Sequence, residues 1–177
     1  MPEGGNAREE ILRAAEQLVA REGVKRLTIE SVATEAGLSR GGVLYHFPSK
    51  EALIQGMVAR LVDLFQQGLD AVVAADPEPR GRFTRAYARV TLLPSEEVAL
   101  MAGGLLAGLA YDPRLLAPLH ERLLEWQRRS EAELDPTDAA IVRLTAHALW
   151  TNGLLLPNQL DPELRKAIVE RLEGLTR

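Results

Sequence analysis

The sequence contains no cysteine in 177 residues, and few of its residues are aromatic. Without a thiol, the chain can hold no disulfide framework, no thiolate zinc site and no cysteine nucleophile. The aromatic content is only 5%, whereas leucine, alanine and arginine are abundant, and this balance favours helices over sheets. No uncharged apolar stretch approaches the ~18 residues that a membrane-spanning helix needs, so we expect no membrane partner.

We also expect no secretory signal peptide, and the sequence shows no recognisable pattern of catalytic or metal-binding residues. The first 17 residues carry four acidic side chains and no apolar core segment, so we expect a cytoplasmic protein. It has no nucleophile with a matching base and no glycine-rich phosphate loop. His120 and His147 have no second ligand at metal-binding spacing. We therefore predict no catalytic residue, no metal site, no cofactor and no enzymatic activity.

The net charge of −4 is unusual for a nucleic-acid binder, but the charges are unevenly distributed. Residues 1–50 hold seven basic and seven acidic side chains, whereas residues 51–177 hold fourteen basic and eighteen acidic ones. Between residues 25 and 50, four basic side chains stand against two acidic ones. Because phosphate contact depends on the local field of one face, the total charge does not exclude a nucleic-acid partner.

Apolar residues recur at helical spacing along nearly the whole chain and predict an all-α protein of about nine helices. Glycine, proline and capping residues mark where these helices begin and end. Three Asp-Pro pairs after residue 100, for example, place Asp at an N-cap and Pro at the first helical position. The predicted helices cover about residues 7–21, 29–37, 40–46, 49–74, 81–93, 95–110, 113–134, 136–156 and 162–175.

The Asp76-Pro77-Glu78-Pro79 segment is the clearest break in this pattern. It follows the longest predicted helix, 49–74, which connects a small three-helix head to a larger helical body. We therefore divide the chain into an N-terminal domain, residues 1–50, and a C-terminal domain, residues 51–177.

Residues 28–47 have the features that a helix-turn-helix requires. Thr28 and Ser39 are N-capping residues before two short helices, and Gly37 between them suits a left-handed turn. Ala33 is small where the helices cross. In this motif the second helix enters the major groove of DNA. The apolar residues available to fix the crossing angle are Val32, Ala36, Leu38, Val43 and Leu44.

The run from Gly42 to Leu53 closely resembles the signature of the tetracycline-repressor (TetR) family. It contains an aromatic pair around a histidine, Tyr45-His46-Phe47, followed by Ser49-Lys50-Glu51-x-Leu53. The clear resemblance covers roughly residues 7–60. It implies a transcriptional repressor that binds operator DNA as a homodimer and is released by a small-molecule inducer. Its two heads would contact half-sites about 34–36 Å apart.

The resemblance also implies roles for individual residues of the head. Thr28 is expected at a phosphate, and Arg40 at guanine or a phosphate. Gly41 and Gly42 allow close approach of the backbone to DNA, but they weaken the helix by roughly 1 kcal/mol each, so DNA or the next helix must hold it. Phe47 is expected in the core. The predicted DNA contacts are Lys25, Thr28, Ser39, Arg40, Gly41, Gly42, Tyr45, His46 and Lys50.

In this family the C-terminal helices enclose a small-molecule pocket, and the last two helices pair with a second subunit. Every candidate in this chain also fits ordinary core packing. We expect a mostly hydrophobic effector, with Thr91 and Asn152 as further polar groups at the pocket. The candidate pocket residues are Phe83, Tyr87, Met101, Leu105, Tyr111, Trp126, His147 and Trp150. The candidate dimer residues are Ile141, Leu144, Ala148, Leu149, Gly153, Leu164, Ile168 and Leu172.

Two other functions remain open at this point. The same head serves a DNA-binding activator as well as a repressor, and the sequence does not separate them. A helical interaction protein that has lost DNA binding would also keep this pattern of helices.

Overall fold

The structure is a computed structural model that describes residues 4–95, 97–99, 101–102, 112–155 and 160–177. Within these ranges all regular secondary structure is helical, so the predicted all-α fold is confirmed. Residues 97–99 and 101–102 are helical and fall inside the predicted helix 95–110. The α-helices are α1 (Gly4–Glu22), α2 (Ile29–Glu35), α3 (Arg40–His46), α4 (Lys50–Ala75), α5 (Arg82–Leu92), α6 (Ala117–Glu133), α7 (Pro136–Leu155) and α8 (Pro162–Leu175).

The Asp-Pro pairs begin helices at all three predicted places. Asp161 accepts hydrogen bonds from the first free amides of α8, and Asp135 does the same at α7. Asp112 also caps as predicted, since its side chain accepts from the Arg114 amide at 2.9 Å, but the first turn, Pro113–Leu116, is a 3₁₀ helix and α6 follows from Ala117. The amide of Leu115 donates to the carbonyl of Asp112 at 2.9 Å, which closes the tighter turn and buries the Leu115 side chain.

The described residues group into two compact units. The first comprises Met1–Leu64 and Glu96–Glu121, and the second comprises Phe65–Ser95 and Arg122–Arg177. The predicted division after residue 50 concerns where DNA and ligand bind, and it stays a prediction.

The core of the first unit forms where α1, α2, α3 and α4 bury their apolar faces. Gly56 of α4 faces the ring of Phe47, which is 3% exposed, so the expected core position of Phe47 is confirmed. A Cβ atom at Gly56 would lie 2.6 Å from Phe47 Cε1, so only glycine allows this close packing. The buried residues of this core are Ile11, Leu12, Ala15, Leu18, Val19, Leu27, Ile29, Val32, Ala33, Val43, Phe47, Leu53, Ile54, Met57 and Leu115.

Arg60 of α4 is a buried cation at the centre of a charge cluster in the same unit. Its guanidinium donates to Glu9 at 2.6 Å and to Glu16 at 3.0 Å, both on α1. A third bond reaches Glu97 at 2.5 Å. Glu16 is 3% exposed, and burial raises its pKa to about 7 against the attraction of Arg60. The cluster therefore ties α1 and residue 97 to α4 through one cation.

The second unit is built on the packing of α5 against α7, with α8 beside them. Ala88 and Leu92 of α5 meet Val142 and Ala146 of α7, and Leu172 of α8 completes this core.

The entry to α5 is fixed by a turn and by a buried ion pair. Gly81 has a φ of 64°, and a Cβ atom there would lie 2.2 Å from the carbonyl oxygen of Thr176. The buried guanidinium of Arg85 donates to Asp76 and to the same Thr176 oxygen, both at 2.8 Å. These bonds join the start of α5 to the C-terminal end of α8.

We expect Gly56→Ala to lower the free energy of unfolding by about 1–3 kcal/mol, the usual range for overpacking a filled core. The new methyl group would meet Phe47 at 2.6 Å and Leu12 at 3.2 Å, and both side chains are buried. Urea unfolding measures the change. Gly174→Ala in α8, where nothing lies within 4 Å, is the matched control. Equal stability of the two variants would contradict this packing.

We expect Glu16→Gln to raise the free energy of unfolding, relative to wild type, more at about pH 8 than at about pH 5. The folded-state pKa of about 7 lies above the ordinary value of 4.5. At a pH below the ordinary pKa of 4.5, the carboxyl therefore contributes its full share to the stability of the folded protein. This contribution is lost as the pH rises through about 7. Glutamine resembles the protonated group at every pH, so the difference between variant and wild type grows by up to about 3 kcal/mol.

Urea unfolding at the two pH values measures this difference. Glu10→Gln, at an exposed position of the same helix, controls for the removal of one negative charge. A difference between Glu16→Gln and wild type that shrinks as the pH rises would contradict the burial argument.

Candidate nucleic-acid interface

The start of α2 is fixed by a reciprocal capping box between Thr28 and Ser31. The Ser31 amide donates to Thr28 Oγ1 at 3.0 Å, and the Thr28 amide donates to Ser31 Oγ at 3.0 Å. Lys25 lies just before this cap in the 3₁₀ turn Val24–Arg26, with its side chain exposed. The predicted contacts Lys25 and Thr28 therefore share the chain segment that enters the helix-turn-helix.

The turn between the two helices is set by Gly37 and Ser39. Gly37 has a φ of 65°, the left-handed conformation that the sequence predicts there. Ser39 caps α3, because its hydroxyl accepts a bond from the Gly42 amide at 3.0 Å. The Val43 amide donates to the Ser39 carbonyl, and the Phe47 amide donates to the Val43 carbonyl. The short helix α3 is thus complete despite its two glycines.

The outward face of α3 carries an arginine, a glycine and a tyrosine. Tyr45 is 85% exposed, so it takes no part in core packing, and its ring meets that of His46 edge-on. A Cβ atom added at Gly41 would find no atom nearer than Ser39 Oγ at 3.9 Å, so the fold itself does not require glycine there. This face is open for a large partner to approach the helix backbone.

Arg40 forms an ion pair that the sequence analysis missed. Its Nε donates to Glu30 Oε1 at 2.6 Å, and each side chain is 63% exposed. The hydrogen bond from Arg40 holds the pKa of Glu30 below its ordinary value. The two residues lie ten positions apart on different helices, so only the folded turn brings them together.

The predicted contacts His46 and Lys50 lie at the ends of neighbouring helices. His46 is the last residue of α3 and is half-buried, and Lys50 is the first residue of α4. His46 also lines an open cleft of about 470 Å³ beside Phe47 and Gly56. The structure places all nine predicted residues on the helix-turn-helix and its two flanking segments. Their contact with DNA stays a prediction.

Four of the predicted pocket residues lie together in the second unit. The Tyr87 ring contacts Phe83, Trp126 and His147 at centroid distances of 6.4, 5.7 and 5.5 Å, and Phe65 joins them. The Tyr87 hydroxyl is hydrogen-bonded to His147 Nε2. Burial raises the pKa of Tyr87 and lowers that of His147, so both groups favour their neutral forms.

The remaining pocket candidates that the structure describes do not belong to this aromatic cluster. Met101 belongs to the first unit, where it packs with Leu61 and Val98. Trp150 and Asn152 are half-buried on α7. Thr91 is buried, and its hydroxyl has no partner among the described residues. Leu105 and Tyr111 lie outside the described residues.

The dimer candidates divide into exposed residues and residues packed within the chain. Leu172 is 3% exposed and belongs to the core between α5 and α7, so its assignment to a subunit interface is withdrawn. Leu149 and Ile168 are half-buried and pack against the same core. The exposed candidates are Ile141, Leu144, Ala148, Gly153 and Leu164.

Two negative findings apply to the described part of the chain. None of its helices is both long and apolar enough to span a bilayer. Its acidic and histidine side chains form no group of three that could hold a metal ion.

Two family profiles match the chain. The profile of bacterial regulatory proteins of the tetR family matches residues 11–57, which contain the helix-turn-helix. The profile of the tetracyclin repressor-like C-terminal domain matches residues 81–177, more than half of the sequence.

Curated relatives resemble a limited part of the chain. The nucleoid occlusion factor SlmA of Vibrio cholerae is 43% identical over 54 residues, which are 30% of this chain and 28% of that protein. The transcriptional repressor BepR of Brucella suis is 38% identical over 58 residues, 33% of this chain and 28% of that protein. The chain thus spans under half of the length of the curated relatives it matches.

Solved structures resemble the chain over nearly its full length. The multidrug binding protein EbrR, in complex with ethidium, has a TM-score of 0.67 and 26% identity, covering 94% of this chain and 98% of that one. A transcriptional regulator from Rhodococcus sp. Rha1 has a TM-score of 0.75 and 21% identity, covering 96% and 95%, and it supports the fold alone. With both family profiles matched and the helix-turn-helix in place, the chain belongs to the TetR family of bacterial regulators.

Proposed function

We propose that the chain is a ligand-responsive transcriptional repressor that binds operator DNA as a homodimer. The observation that carries this proposal is the outward face of α3, where Tyr45 is 85% exposed and Gly41 leaves the backbone open. A large exposed aromatic side chain beside an arginine suits the sugar-phosphate backbone and the base edges of a groove. The family membership and the similarity to the repressor BepR support repression in particular.

The second subunit is proposed to cover the exposed apolar residues of α7 and α8. Leu144 is 57% exposed and Leu164 is 52% exposed, and burial of such side chains favours association. The interface would be isologous, so the two heads would be related by a twofold axis. DNA half-sites one helical turn apart, about 34–36 Å, would then match the two copies of α3.

The effector is proposed to be a small hydrophobic molecule that binds the second unit at the aromatic cluster. Tyr87, Trp126 and His147 provide a mostly apolar wall with a few polar groups, as small-molecule sites do. The hydroxyl of Thr91, one helical turn after Tyr87, has no partner among the described residues and is a further polar group for the ligand. The similar protein EbrR has been crystallised with imidazole and with ethidium, which supports a ligand of this kind.

Helix α4 is proposed to transmit ligand binding to the head. It supplies Met57 to the core of the first unit and Phe65 to the aromatic cluster of the second. A ligand that favours one position of α4 would shift the heads away from operator spacing, in proportion to its preference between the two states. In this mechanism the dimer stays intact while the affinity for DNA falls.

We expect Tyr45→Ala to weaken operator binding by about tenfold or more without lowering protein stability. The side chain is exposed, so its removal leaves the core intact. Fluorescence anisotropy with an operator selected from random DNA measures the affinity. Leu124→Ala, at a 60% exposed position on α6, is the matched control for loss of an exposed large side chain. A folded, dimeric wild-type protein that binds no DNA at low salt would refute the proposal and favour a helical interaction module.

We expect Gly41→Ala to change stability and DNA binding in opposite directions. Alanine is the better helix former by up to about 1 kcal/mol, and the position has room for its Cβ atom. The same methyl group would hold the backbone of α3 away from DNA and weaken operator binding. Thermal unfolding and anisotropy measure the two effects, with Gly174→Ala as the control that changes stability alone. Unchanged operator affinity would show that DNA does not approach this backbone.

A further inference from the structure

The ion pair between Glu30 and Arg40 leaves one edge of the guanidinium open. The Glu30 carboxylate accepts from Nε at 2.6 Å, and no other described residue bonds to the Arg40 side chain. Both terminal nitrogens, Nη1 and Nη2, therefore remain available as a pair of parallel donors. Arg40 is the first residue of α3, and that helix is the candidate for entry into the groove.

The positions of both partners are set by buried neighbours rather than by the pair itself. Glu30 follows Ile29, which is 9% exposed, and Arg40 follows the cap of Ser39. Val32 and Val43 are fully buried and hold the two helices together. The buried neighbours fix the backbone at both residues, and the Glu30–Arg40 bond between them reduces the conformational freedom that an exposed arginine would lose on binding.

An arginine supported in this way suits guanine better than phosphate. Guanine presents two acceptors, O6 and N7, to the two terminal nitrogens of arginine. A phosphate contact gains from the release of counterions, which needs an uncompensated positive charge. The Glu30 carboxylate offsets the charge of Arg40 and would itself repel a nearby phosphate.

The second interhelical pair in the head shows the contrast. Arg21 of α1 donates to Glu35 through Nη1 at 3.0 Å and through Nη2 at 2.8 Å. Its Nε donates to Glu22 at 3.2 Å. All three nitrogens of Arg21 are engaged, so this pair fastens α1 to α2 and presents no free edge. Arg40 differs because Glu30 accepts a hydrogen bond from its Nε alone, so neither terminal nitrogen has a partner among the described residues.

We infer that Glu30 is a specificity-determining residue: it positions Arg40 to read a guanine in each half-site and discourages phosphate binding by that arginine. This inference rests on the proposed function as a DNA-binding regulator, and it adds a positioning residue that makes no base contact of its own. Removal of Glu30 would leave Arg40 charged and mobile, which favours binding to any sequence over binding to one base pair.

The test compares base preference in wild type, Arg40→Ala, Glu30→Gln, Glu30→Asp and Glu35→Gln. An operator selected by the wild type from random DNA is varied at each base pair, and scrambled DNA is titrated at several salt concentrations. Arg40→Ala identifies the base pair that Arg40 reads, where we expect the wild type to discriminate by about tenfold or more. Glu35→Gln removes the same charge from the same helix and is the matched control.

We expect Glu30→Gln to lose most of the discrimination at that base pair and to bind scrambled DNA more tightly. For this variant, the slope of log affinity against log salt concentration should be steeper than for wild type by about 0.9, the value for one added phosphate contact. Glu30→Asp keeps the charge but is one methylene too short, so it should lose discrimination without gaining affinity for scrambled DNA. Glu35→Gln should keep the base preference.

Three results would overturn the inference while leaving the proposed function intact. Glu30→Gln or Glu30→Asp could keep full discrimination, Glu35→Gln could lose as much as Glu30→Gln, or Arg40→Ala could weaken all sequences equally. A wild-type protein that prefers no sequence refutes the proposed function itself, and the inference with it. Both substituted glutamates are on the surface of α2, and circular dichroism confirms that each variant is folded.

Discussion

The buried contact between α2 and α3 is the constraint on which the candidate interface depends. Val32 and Ala33 of α2 pack against Val43 of α3, and the left-handed turn at Gly37 joins the two helices. Because Val43 faces this core, Tyr45 faces outward on the same short helix. A change in the crossing of α2 and α3 would therefore move the aromatic side chain and separate Glu30 from Arg40. The chemistry of the surface follows from the packing beneath it.

Charge in the first unit has two separate roles. Arg60 and Glu16 are buried and hold α1 to α4, and such a buried pair contributes to a specific arrangement more than to net stability. Arg40 is exposed, and its carboxylate partner Glu30 is proposed to restrict what it can bind. Arginine thus serves as a buried link between helices at Arg60 and as an exposed, partly engaged cation at Arg40.

Local signals in the sequence were sufficient for the head, and contacts between distant residues were not. The cap at Ser39, the turn at Gly37 and the bounds of α3 follow from residue types at fixed spacing, so they could be predicted. The pairs Glu30–Arg40 and Arg60–Glu16 join residues on different helices, and no local pattern marks them. Leu172 matched the apolar stripe expected at a subunit interface, but a stripe does not reveal whether its own chain or a second copy covers it.

The central claim is that α3 is already ordered in the DNA-free protein, because α4 and the core hold it. Hydrogen exchange at the amides of Val43 and Phe47 in the DNA-free protein tests this most directly, since both amides donate within or at the end of α3. The account predicts protection of these amides comparable to that of Leu12 and Ala15 in the core of α1. Exchange as fast as in an unfolded peptide, with protection appearing only when operator DNA is added, would contradict it.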